Sequence, residues 1–146
     1  MTETIAAEQT MVMRADRERI WKALTTAKHF SKWFGLQVEI SRLEPGGEFR
    51  FVEFENNLPG KIITVEPPEL FEFEWTPEAG VKIFTLVTFR LEEVEGGTRV
   101  TMREQGFEKL PEQYRKSRFE GNSEGWQIQI HNLENYLKEG KDIGEN

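Results

Sequence analysis

Between Leu36 and Phe107 the apolar residues fall at every second position, and near the end of the chain the repeat lengthens to that of a helix. The alternation is legible in Phe49 and Phe51, in Phe71, Phe73 and Trp75 with Glu72 and Glu74 between them, in Val87, Phe89 and Leu91, and in Val100 and Met102 flanked by Arg99, Thr101 and Arg103. Successive side chains of a strand point to opposite faces, so the pattern predicts a sheet with one apolar and one charged face. Turn residues at Pro45-Gly46-Gly47, Asn56-Asn57, Pro67-Pro68, Pro77 to Gly80 and Gly96-Gly97 cut it into about six strands. An apolar face of that size needs a cover. Trp126, Ile130, Leu133 and Leu137, at i, i+4, i+7 and i+11, supply one as the stripe of an amphipathic helix, with Gln127, His131, Glu134 and Lys138 opposite. Asn122 or Ser123 would cap this helix and Gly140 would end it, giving about 25 Å of helix. Gly125 would let its first turn approach the sheet closely.

Ahead of the sheet, Ile5 to Arg14 reads as a first strand, and Asp16 as the N-cap of a helix in which Ile20, Trp21 and Leu24 face a core. A second short helix, Ala27 to Phe34, ends at Gly35 and carries Phe30, Trp33 and Phe34 on its apolar side. The expected fold is therefore α+β: a curved six- to seven-stranded antiparallel sheet around a long C-terminal helix, with two short helices after strand one. A chain of 146 residues, 37% of them hydrophobic, needs only one core, so residues 1–146 are expected to form a single domain.

Composition narrows the function classes. Cysteine is absent, which removes disulfides, thiolate metal sites and cysteine nucleophiles. The net charge of -7 is concentrated between Glu39 and Glu78, where ten glutamates face only Arg42, Arg50 and Lys61. Such a surface repels phosphate backbones, so nucleic acid is not an expected partner. The same glutamates keep the outer face of the sheet soluble and discourage edge pairing, or form a docking surface for a basic protein partner. With neither a basic, apolar leader at Met1-Thr2-Glu3-Thr4 nor a run of roughly 18 apolar residues, no membrane association is expected and a cytoplasmic location is.

Arg14-Ala15, Ile20 to Leu24, Trp33-Phe34, Gly46-Gly47, Gly60 to Val65, Pro67-Pro68 to Trp75, Val87 to Leu91, Thr98 to Phe107 and Gly125-Trp126 to Leu137 stand in an order that resembles the START-like (SRPBCC) superfamily. Within it, the chain is similar to the family named after the activator of the ninety-kilodalton heat-shock chaperone's ATPase, and resembles that activator's C-terminal module. The resemblance implies a helix-grip fold with a hollow, between sheet and C-terminal helix, able to hold a hydrophobic or amphipathic small molecule.

Few residues carry recognisable chemistry. His29 and His131 are the only histidines and lie on different predicted helices, so neither a metal nor another cofactor is expected. Glu104 continues the inward parity of Val100 and Met102, and Glu53 that of Phe49 and Phe51. A carboxylate in an apolar hollow is a candidate general acid or base, with Tyr114 as a partner for Glu104 if its segment folds over the mouth. The expected ligand-binding residues are Trp33, Phe51, Phe73, Trp75, Phe84, Glu104, Trp126, Gln129 and Ile130, around a pocket of roughly 300–1,000 Å³. They suit a non-enzymatic binder of a small hydrophobic ligand. A cyclase- or hydratase-like enzyme using the cavity carboxylate and a chaperone-associated or stress-related interaction module are the alternatives.

Overall fold

The computed structural model describes residues 5–53, 56–76 and 82–139; the turn expected at Pro77 to Gly80 and the helix end expected at Gly140 lie outside the described residues. β1 (Ala6–Met13) leads into α1 (Arg17–Thr25) and α2 (Ala27–Phe34). Asp16 stands at the N-cap of α1 with extended backbone, yet caps through its carbonyl, which accepts from the amides of Arg19 and Ile20 at 3.1 Å each, and not through its side chain. α2 ends at Gly35 in the left-handed conformation.

Seven strands follow: β2 (Gln37–Ile40), β3 (Phe49–Glu53), β4 (Asn56–Leu58), β5 (Gly60–Glu66), β6 (Leu70–Trp75), β7 (Thr85–Val94) and β8 (Gly97–Gln105). An antiparallel sheet of order β1-β8-β7-β6-β5 abuts a second one of order β2-β3-β4. Only Pro59 separates β4 from β5, and Glu48 bridges Lys61 where the sheets meet. A Cβ at Gly60 would lie 2.3 Å from the carbonyl of Phe49 and 2.6 Å from that of Glu74, so only glycine lets three strands converge there. Asn56 and Asn57, expected in a turn, are strand residues opposite Glu53 and Val52: ladder pairing overrides their turn preference.

The last helix, α3 (Glu112–Glu139), is 28 residues long and starts well before the expected Asn122 or Ser123. Glu112 to Gly121 lacks an apolar repeat but is rich in Glu, Gln, Arg and Lys, which favour helix. Pro111 precedes it, and its carbonyl accepts from the amides of Tyr114 and Arg115 at 2.9 and 3.2 Å. Phe119 packs edge-on against Phe107 at 5.6 Å and ties the added turns to the body. The expected stripe holds: Trp126, Ile130, Leu133 and Leu137 are the buried residues of α3. At its far end, Arg19 Nη2 donates to the carbonyl of Leu137 at 2.6 Å, a cation placed where the helix dipole is negative.

Between sheet and helices the core is largely aromatic. Phe30 of α2 meets Trp33, Phe34 and Phe49 at ring-centroid distances of 4.6, 5.2 and 5.3 Å, and Phe49 stacks on Phe73 at 4.0 Å. These rings pack directly against one another between α2 and the two sheets.

Candidate functional site

The alternation through Val100 and Met102 turns Glu104 inward on β8, and the register sets it beside Ala7 of β1 and Val87 of β7. Two residues back along β7 on the same face stands Thr85, which is paired with Trp75 of β6. Three strands thus bring Glu104, Thr85 and Trp75 together, and α3 lays Asn122 and Trp126 over them. Glu104 is fully buried. Its Oε1 accepts from Trp126 Nε1 at 2.8 Å and from Asn122 Nδ2 at 3.0 Å. Its Oε2 accepts from Thr85 Oγ1 at 2.5 Å, from Trp75 Nε1 at 2.8 Å and from Asn122 Nδ2 at 3.3 Å. An indole nitrogen can only donate, so the set matches a carboxylate, which can only accept. Among the described residues no Lys, Arg or His pairs with it. A buried charge held by neutral donors alone is unusual, since buried charges are as a rule paired.

Above this cluster lies a partly open pocket of about 120 Å³, walled by Phe34, Trp75, Gly121, Asn122, Gly125, Trp126 and Gln129. The ring centroids of Phe34, Trp75 and Trp126 lie 5.8 to 6.1 Å from one another. Gln129 is held in place by donating to the carbonyl of Phe34 at 2.8 Å and accepting from Asn132 Nδ2 at 3.1 Å. Gly121 and Gly125 stand one turn apart on α3, and a Cβ at either would meet nothing within 4 Å among the described residues. Gly125 therefore does not serve a close approach of helix to sheet, contrary to expectation; both glycines leave open space over the pocket. Among the described residues, three wider hollows of about 270 to 320 Å³ have charged residues in their walls: Arg14, Glu134 and Lys138 in one, Glu74, Glu108 and Lys109 in another, and Glu48 and Arg50 in the third.

Of the residues expected around a ligand, Trp75, Trp126 and Gln129 line this pocket and Glu104 lies behind its wall. Trp33, Phe51, Phe73 and Ile130 are buried in the core and do not line it, and Trp33 spends its indole N–H on the carbonyl of Ala23 at 2.9 Å. Phe84 is half-buried ahead of β7, also away from the wall. The pocket is smaller than expected because Phe30, Phe34, Phe49, Phe51 and Phe73 pack against one another where a wider hollow would be. Tyr114, in the first turn of α3, makes no hydrogen bond to Glu104. The side chain of Glu53 lies outside the described residues. His29 Nδ1 bonds Tyr136 Oη at 2.7 Å, and His131 Nδ1 lies 2.9 Å from the carbonyl of Gln127. Among the described residues no cluster of three metal-binding side chains occurs, and no helix is long and apolar enough to cross a membrane.

Sequence reading missed Phe34, Asn122 and Thr85 as site residues. Asn122 was expected as a helix cap, and only the longer α3 turns it toward Glu104. Thr85 had a usable signal, since counting back from Val87 puts it on the inner face next to Glu104.

Two abutting antiparallel sheets packed with one long helix, and a pocket between helix and sheet, define a helix-grip domain of the START-like type. The chain belongs to the family described as activator of Hsp90 ATPase homolog 1-like protein, whose model matches residues 14–138. No curated protein matches the chain significantly. Among solved structures, the MLL2253 protein of Mesorhizobium loti is similar with a TM-score of 0.77 and 21% identity, over 95% of this chain and 99% of that one. The Aha1 dimer of Colwellia psychrerythraea gives 0.75 and 20%, over 94% and 98%. CalU16 of Micromonospora echinospora gives 0.68 and 24%, over 92% and 75%.

Proposed function

We propose that this protein is a non-catalytic binder of a small ligand whose compact apolar part enters the pocket between α3 and β6. The observation that carries this reading is the pair Gly121 and Gly125. Glycine in a helix interior costs roughly 1 kcal/mol relative to alanine, and here no close contact among the described residues requires it. What the pair does is keep side chains out of a space walled by Phe34, Trp75 and Trp126. At about 120 Å³ the space suits one ring or one branched alkyl group, as apolar cavities of about 150 Å³ hold benzene. A bulky lipid would place only one end there.

The enzymatic alternative has less support. For Glu104 to act as acid or base, an indole, a threonine hydroxyl or Asn122 would first have to leave it, and it does not line the pocket. A docking role for the acidic face is also weakened, because Glu39 pairs with Arg50, and Glu72 accepts from Thr64 and Thr88 at 2.7 Å each.

The test is the double variant Gly121→Ala/Gly125→Ala, with 3,3-dimethylbutan-1-ol as a probe bearing one compact branched group. Stability to urea should rise by about 1–2 kcal/mol, while calorimetric affinity for the probe falls at least tenfold. A stabilised variant that binds the probe as well as the parent would refute the reading.

A further inference from the structure

Resting on the pocket reading above, we infer that the group selected there is a compact organic cation, an alkylated ammonium carried by a small molecule. Every side-chain nitrogen on the wall already donates into the protein. Trp75 Nε1, Trp126 Nε1 and Asn122 Nδ2 donate to Glu104, and Gln129 Nε2 donates to the carbonyl of Phe34. Both indole N–H groups are thus turned away from the pocket, and each of the two amides keeps one N–H beyond the bonds it makes among the described residues. The wall also holds three aromatic rings and the side chain of Asn122, whose amide oxygen accepts no hydrogen bond among the described residues.

Ring faces carry the negative end of the aromatic quadrupole, and the positive N–H edges of both indoles are turned away onto Glu104. The three centroids form a nearly equilateral triangle with sides of 5.8 to 6.1 Å. A cation resting about 4 Å above that triangle is about 5 Å from each centroid, inside the roughly 6 Å reach of a cation–π contact. Behind the rings sits a buried carboxylate with no cationic partner among the described residues. A cation in the pocket would face that carboxylate across the indoles. An alkylammonium also suits a wall with few free donors and acceptors, because its methyl groups ask for none, whereas a bare ammonium would lose the hydrogen bonds it makes to water.

Choline and 3,3-dimethylbutan-1-ol share a shape and differ in charge, so titrating both into the parent protein isolates the inference. Choline is expected to bind at least tenfold more tightly than the alcohol. The variant Phe34→Leu, which keeps an apolar wall but removes one ring, should weaken choline severalfold more than it weakens the alcohol, and an equal loss for both would overturn the cation inference. If the alcohol binds as well as choline or better, the cation inference is overturned and the pocket reading stands. If neither binds, both are overturned.

Discussion

Replacing Glu104 by leucine is expected to lower the free energy of unfolding by about 4 kcal/mol or more, measured by urea denaturation. The substitution looks favourable by hydrophobicity, since the position is fully buried. Its cost comes from what is left behind. The indole N–H groups of Trp75 and Trp126, the hydroxyl of Thr85 and the amide of Asn122 would lose their common acceptor together. Each buried donor left unmade costs roughly 1–3 kcal/mol, offset in part by the leucine's own burial and by water reaching the half-buried Trp75 and Asn122. Because Glu104 ties β8 to β6, β7 and α3 at once, the loss would take much of the roughly 5–15 kcal/mol available to a domain of this kind. Glu104→Gln should cost about half as much, since it keeps one acceptor and sets an amide against the remaining donors. A loss below about 1 kcal/mol for the leucine variant would mean that the cluster does not hold the helix to the sheet.

Phe30→Ala should be comparably severe, at about 3–5 kcal/mol, or roughly 10–20 °C in melting temperature for a chain of this length. Phe30 is fully buried at the point where α2 meets both sheets, with Trp33, Phe34, Phe49, Phe51 and Phe73 around it at ring-centroid distances from 4.6 to 6.3 Å. Its removal would leave a cavity that these rings, each locked by the others, could close only in part. A loss below about 2 kcal/mol would show that the aromatic core relaxes as a more fluid one would.

The framework was readable in the sequence because the alternation from Phe49 to Met102 and the stripe from Trp126 to Leu137 are local, periodic consequences of burial. Two boundaries were not. The first turns of α3 rest on helix-forming polar residues and on the distant contact of Phe119 with Phe107, neither of which leaves a period. Asn56 and Asn57 took strand pairing because β3 was there to receive them. At the site, the parity of Glu104 was legible, but its role was not, since that depends on donors from β6, β7 and α3. Parity likewise turned Phe51 and Phe73 inward correctly. It could not tell a pocket wall from the solid core below, because that distinction depends on how tightly the opposing aromatics pack.

The central claim is that small ligands enter between α3 and β6, and the indole N–H region of a ¹H–¹⁵N spectrum tests it most directly. The chain has four tryptophans, of which Trp75 and Trp126 wall the pocket, while Trp21 and Trp33 do not. During titration with choline, and separately with 3,3-dimethylbutan-1-ol, the indole signals of Trp75 and Trp126 should shift saturably for at least one probe. Those of Trp21 and Trp33 should stay in place. Signals from all four that remain unmoved to saturating probe, or shifts confined to Trp21 and Trp33, would contradict the account.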